Sequence, residues 1–186
     1  IPSFRLEKSV IEAEIEVLKA MGIEFKCGIE VGKDISLDDL RNEGYEAFYV
    51  AIGAQGSRKL NIPGEENEMV ESGIDFLRKV NKTEDPNLIS GDVVVVGGGN
   101  VAIDVARAAL RSGAEKVYLY SLEQEAEMPA SFEEVQEAKE EGIILHCGWG
   151  PKEILEDSIV FKQCVSVKDE TARFNPSYDE SILETI

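Results

Sequence analysis

Histidine and cysteine are scarce in this chain, and so is positive charge. Its three cysteines, Cys27, Cys147 and Cys164, are far apart, odd in number and outside any CxxC pair. That spacing argues against a disulfide framework, a zinc site and an iron–sulfur cluster, and leaves free, buried thiols in a reducing compartment. The single histidine, His146, lies in the apolar run IILHC with no neighbouring carboxylate or hydroxyl to make it a base, so it reads as a satisfied structural residue. Lys and Arg number 19 against 37 Asp and Glu, a net charge of −18. Such a surface repels phosphate backbones and anionic lipid, which excludes nucleic acid and membrane partners. No apolar run reaches the ~20 residues of a membrane span, and no basic-then-apolar leader opens the chain, so a cytoplasmic location is expected.

What is present is an α/β pattern with one dense signal. Residues 92–114, DVVVVGGGNVAIDVARAALRSGA, pass from a β-branched run through three glycines into a helical repeat. Residues 93–96 read as a fully buried parallel strand. Gly97 allows the tight turn, Gly98 continues it, and Gly99 lets the backbone approach a pyrophosphate. Ala102 stands at the third-glycine position, small enough for close packing. Val101, Val105, Ala108 and Ala109 fall at helical spacing, so the free amides and positive dipole end at Asn100 and Val101 face the glycine turn and favour an anion. A second strand, residues 116–122, completes a βαβ unit, and Glu123 follows it where an acid commonly meets a ribose. A purely structural turn and an S-adenosylmethionine site are the competing readings of the glycines.

Elsewhere the elements are shorter. Residues 6–21 should form an amphipathic helix stopped by Gly22, and Ser36 should cap a helix through Leu40. Residues 23–27 and 45–52 read as strands without neighbours in this chain, the second ending at Gly53. The region therefore resembles the tail of a domain whose beginning is missing, and the absence of an initiator methionine agrees. A loop over 54–71 contains IPGE at residues 62–65, residues 72–80 suit a helix, and 81–91 suit a linker. MPA at 128–130 precedes a capping box, Ser131 with Glu134, opening a helix to Glu141. Residues 143–147 read as a third strand, 148–151 as a turn, and 158–167 as a hairpin strand with roughly 152–155. The polar tail from Asp169 reads as loop.

Taken together, IPSFRLEKSVIEAEIEVLKAMGIEF, AIGA at 51–54, IPGE, GGGNVAIDVARAALRSGA, EMPAS and ARFNPSYDE resemble the glutamate synthase small-subunit family of flavin-dependent pyridine nucleotide oxidoreductases. The resemblance implies an FAD domain interrupted by an inserted NAD(P)H domain, with hydride passing between nicotinamide and flavin and electrons passing on through iron–sulfur domains or subunits. It implies that residues 1–88 are a middle piece of the FAD domain, that 89–180 are the NAD(P)H-binding Rossmann domain, and that 181–186 are a tail. The expected fold class is α/β, Rossmann-like, with a parallel sheet core, a β-hairpin and a partial FAD-domain segment.

The upstream FAD fingerprint and cysteine-rich segment and the downstream flavin motif of the family are not in this sequence. On that reading the chain is an excised fragment, inactive alone, that binds a pyridine nucleotide but does not retain FAD. Gly97, Gly98, Gly99, Asn100 and Val101 would hold the pyrophosphate, with the adenosine side at Ser121, Leu122 and Glu123. Gly53 and Ala54 would lie near FAD. Their simpler reading is a strand-end turn, and for Met128 and Pro129 the choice is between the cleft wall and a hydrophobic staple. Family members that use NADPH commonly carry an Arg-Arg pair after the second strand's tyrosine. Tyr120 is followed here by Ser121-Leu122-Glu123, and Glu123 would repel a 2′-phosphate, so NAD(H) is expected over NADP(H). No catalytic acid, base or nucleophile and no metal ligand is assigned. A non-enzymatic nucleotide-binding or redox-sensing module is the alternative function.

Overall fold

The computed structural model describes residues 1–83 and 85–186, and Glu84 of the expected linker lies outside the described residues. The chain divides into two compact units, one of Ser3–Gln55 and one of Ile1–Pro2 with Gly56–Ile186.

The smaller unit holds two helices, α1 (Lys8–Ala20) and α2 (Leu37–Asn42). Gly22 ends the first at φ 93°, a left-handed conformation that favours glycine. Ser36 caps the second with a full capping box: its Oγ accepts from the Asp39 amide at 3.0 Å while Asp39 accepts from the Ser36 amide at 3.0 Å. The strands expected at 23–27 and 45–52 do not form. A strand needs a hydrogen-bonding neighbour, and the only ladder contact in this unit is an isolated bridge between Val31 and Ile35. Tyr49 is accordingly 95% exposed. Cys27, expected to be buried, is exposed as well.

The larger unit contains the core. Three parallel strands, β1 (Val93–Val96), β2 (Val117–Ser121) and β3 (Ile144–Cys147), lie in the order β1-β2-β3. Helix α4 (Asn100–Arg111) crosses from β1 to β2, and α5 (Phe132–Glu140) from β2 to β3. Parallel neighbours require such crossovers, and the two helices alternate with the strands as the glycine and small-residue pattern dictates. Val117, Leu119 and Tyr120 of β2 are wholly buried, as are Ile103, Ala106 and Ala109 of α4, which packs on β2, and Ala138 of α5. The central strand is thus the buried one. β1 lies at the sheet edge, and only Val95 of its four valines is buried, not the whole run as expected.

Helix α3 (Gly73–Thr83) is longer than expected, entering the expected linker, and packs on α4 with Phe76 buried. The IPGE turn has a local explanation. Glu65 accepts the amides of Leu60 and Asn61 at 2.7 and 2.8 Å, and the Ile154 amide donates to the Pro63 carbonyl at 2.8 Å. Gly64, at φ 83°, sits so close to the Ile154 carbonyl that an added Cβ would overlap it.

The region after β3 is a three-stranded antiparallel sheet, β4 (Trp149–Ile154), β5 (Ile159–Lys168) and β6 (Phe174–Thr185), in that order. Residues 149–151, expected in a turn, already belong to β4. The tail from Asp169, expected as loop, instead makes a tight turn and returns as β6. Asp169 drives that reversal by accepting the amides of Thr171 and Arg173 at 2.8 and 3.2 Å, after which Phe174 pairs with Lys168. No helix is long and apolar enough to cross a membrane among the described residues.

Candidate functional site

The C-terminal ends of β1 and β2, the glycine turn and the N-terminus of α4 converge in one place, as the βαβ pattern requires. The three glycines of the turn differ in what surrounds them. Gly97 adopts φ 144°, and its ideal Cβ would lie 3.2 Å from the Cβ of Ala102, which explains why residue 102 is small. Gly98 is enclosed: a Cβ there would meet Glu123 Oε2 at 2.7 Å, Ser121 Cβ at 3.2 Å and Pro129 Cδ at 3.4 Å. Gly99 is neither strained nor crowded. It is extended, at φ −94° and ψ 171°, and a Cβ there would meet nothing within 4 Å.

Gly99 is the N-cap of α4, and no side chain caps the helix. Its carbonyl accepts from Ala102 and Ile103, so the first turn is wound while the amides of Asn100 and Val101 lie at the open, positive end. Val101 is 52% exposed there. This arrangement, open space above Gly99 beside uncapped helix amides, fits the pyrophosphate of a dinucleotide.

The residues after β2 act differently from one another. Ser121 is buried, and its hydroxyl donates to the Glu123 carbonyl at 2.9 Å, so it faces inward. Leu122 packs toward Gly150 of β4. Glu123 is held by its backbone, whose carbonyl also accepts the Gly148 amide at 3.0 Å, and its carboxylate folds over Gly98. Gly53 and Ala54 belong to the smaller unit, where both are exposed and Gly53 turns at φ 69°.

The MPA segment contributes contacts that the sequence did not make evident. The Ala130 amide donates to the Gly98 carbonyl at 3.0 Å, and the Ser131 amide donates to Asn100 Oδ1 at 2.9 Å. Met128 and Ala130 are buried beside the turn. The expected capping box is absent, because the Ser131 side chain makes no cap bond and Glu134 bonds Arg107 instead, at 3.1 Å.

Arg107 of α4 is buried among Glu134, Glu137 and Glu141, the last also bound by Arg111 at 2.8 Å. Burial alone would lower the Arg107 pKa, but Glu141 and Glu137 outweigh it and hold the value raised. Glu141 is shifted down, chiefly by its hydrogen bond from Arg111, with burial opposing and Arg107 adding to the effect.

On the other side of β2, the Tyr120 ring stacks on Phe161 at 3.7 Å and on His146 at 4.4 Å. Glu184 Oε1 accepts from the Tyr120 hydroxyl at 2.6 Å and lies 2.9 Å from His146 Nδ1. Burial, and then Glu184, push the Tyr120 phenol pKa well above its ordinary value. His146 is the satisfied residue expected, but its partner comes from the strand that was read as loop. Among the described residues no group of His, Cys, Asp and Glu could hold a metal ion. Of the cysteines, only Cys164 is fully buried, and burial raises its thiol pKa.

Residues 10–175 match the family described as pyridine nucleotide-disulphide oxidoreductase. The chain belongs to that family. These are flavin-dependent pyridine nucleotide oxidoreductases, and the resemblance to glutamate synthase small subunits holds. The chain is 38% identical over 184 residues to the NADP(+)-dependent formate dehydrogenase subunit beta of Moorella thermoacetica, covering 95% of this chain and 26% of that protein. It is 37% identical over 153 residues to the glutamate synthase [NADPH] small chain of Escherichia coli, covering 77% of this chain and 32% of that one. It thus spans about a quarter to a third of the length of these relatives. Mycobacterium tuberculosis FprA in complex with NADPH shares the fold with a TM-score of 0.78 at 19% identity, over 97% of this chain and 57% of that one.

These relatives correct the cofactor expectation. Both are named for the phosphorylated dinucleotide, which overturns the NAD(H) preference inferred from Ser121-Leu122-Glu123. The physical reason lies in the turn. The Glu123 carboxylate packs against Gly98, so its charge was a poor guide to which ribose the site accepts.

Proposed function

We propose that the glycine turn binds the pyrophosphate of NADP(H) and that this chain is the nicotinamide-nucleotide portion of a flavin-dependent oxidoreductase. The reading is supported above all by Gly99. Its backbone conformation is open to any residue and no protein atom crowds it, so neither strain nor packing accounts for the glycine, whereas an approaching ligand does. The amides of Asn100 and Val101 would bind the phosphates, and Ser121 to Glu123 would border the adenosine side. The phosphorylated form is favoured because the relatives above are named for it.

Bound pyridine nucleotide supplies hydride chemistry; this chain's residues bind it, orient it and exclude water. No side chain is given an acid, base or nucleophile role. By the same family resemblance, residues 1–88 are part of an FAD domain, and the acceptor beyond the flavin is an iron–sulfur domain or subunit. The smaller unit's largely exposed, irregular run at 45–52 suits a segment completed by other parts of a flavin domain.

Calorimetric titration of the chain with NADPH and, separately, NADH tests this. Saturable one-to-one binding of NADPH, tighter than NADH, is expected. Gly99→Ala should retain the fold, because nothing stands in the way of a Cβ, yet lose at least about tenfold in affinity as the methyl occupies the phosphate's place. Equal NADPH affinity in Gly99→Ala and the parent would overturn the assignment.

A further inference from the structure

The two hydrogen bonds between the MPA segment and the glycine turn form a clamp whose residues are distant in sequence. Ala130 N–H reaches the Gly98 carbonyl at 3.0 Å, and its neighbour Ser131 N–H reaches Asn100 Oδ1 at 2.9 Å. One bond would leave the turn free to rotate about it; two, from consecutive amides to positions on either side of Gly99, fix its orientation. The segment can act as a fixed wall because Met128 and Ala130 are buried and Pro129 abuts Gly98. Asn100 itself is exposed, and its oxygen is turned toward Ser131.

We propose that Asn100 is a positioning residue: its carboxamide oxygen holds the N-terminus of α5 against the turn and so pre-orients the Gly99, Asn100 and Val101 amides for the nucleotide. The inference rests on the nucleotide-site reading above. It predicts that affinity depends on a bond made by a side chain to the protein, through the general gain that comes from ordering a site before its ligand arrives. Asparagine suits the position because its short side chain presents an acceptor one residue past the glycine without adding negative charge beside a pyrophosphate.

The same bond can be cut from either end. Asn100→Ala removes the acceptor. Ser131→Pro replaces the donor N–H with a ring methylene, at a residue whose φ of −65° already matches proline. Each substitution should weaken NADPH binding about tenfold, and the double variant should also be about tenfold weaker, not a hundredfold, because both delete one interaction. Protection of the Ser131 amide against hydrogen exchange should be present in the parent chain and lost in Asn100→Ala. That measurement decides the matter even if Ser131→Pro does not fold. Losses that multiply, parent-like affinity in a folded Ser131→Pro, or an unprotected Ser131 amide in the parent would each overturn the clamp. Failure of the parent chain to bind NADPH at all would overturn the underlying nucleotide-site reading, and the clamp's role with it.

Discussion

Two hydrophobic runs in this molecule, VVVV at 93–96 and FYVAI at 48–52, have the same β-forming composition and opposite fates. The first is a strand because Val93 to Val96 pair in register with Val117 to Tyr120. The second has no partner strand, takes up no regular structure and leaves Ile52 79% exposed. β-propensity describes a fit to a pleated, half-buried surface, and it produces a strand only where such a surface exists. The larger unit supplies that surface and the smaller one does not.

Matched truncations sharpen the contrast. Leu119→Ala empties a wholly buried site in the central strand and should cost about 4 kcal/mol in urea unfolding followed by the fluorescence of Trp149, the chain's sole tryptophan. Arg107→Ala should cost about 3 kcal/mol by the same measurement, since it leaves Glu134, Glu137 and Glu141 facing one another without their buried cation. A smaller effect follows from acid titration. The folded pKa of Glu141 lies below its unfolded value, so its contribution is present above about pH 4.3 and is lost as pH falls through the lowered folded value. Arg111→Ala should therefore move the acid-unfolding limb to higher pH, and an unchanged limb would remove Arg111 from the account. Least of all, Ile52→Ala should change the Trp149 transition by less than about 0.5 kcal/mol. A loss as large as that of Leu119→Ala would erase the distinction between the two regions.

The sequence made legible whatever local chemistry controls. The small residue at 102, the Ser36 cap and the Gly22 stop depend on residues a few positions apart, and each element of the βαβ unit carries its own periodicity; they stand as read. Features that depend on distant partners were not legible. Residues 23–27 and 45–52 carried a strand pattern without a neighbour. The tail hid a strand because its polar residues face solvent while Asp169 makes the turn that returns it to β5. Ser131 and Glu134 had the spacing of a capping box, but Arg107, 27 residues from Glu134, captured the carboxylate. At the candidate site the glycines announced themselves, whereas the orientation of Glu123 over Gly98 and the reach of Asn100 to Ser131 exist only once β2 and α5 are in place. The mistaken NAD(H) preference came from treating a side chain's charge as though its direction were known.

The most direct test of the nucleotide-site assignment is backbone amide chemical-shift mapping of the chain during NADPH titration. Saturating shifts centred on Gly97, Gly98, Gly99, Asn100 and Val101, with smaller ones at Ser121 to Glu123, are predicted. Saturable binding that leaves those amides unmoved and perturbs another surface would contradict the assignment of the glycine turn as the nucleotide site.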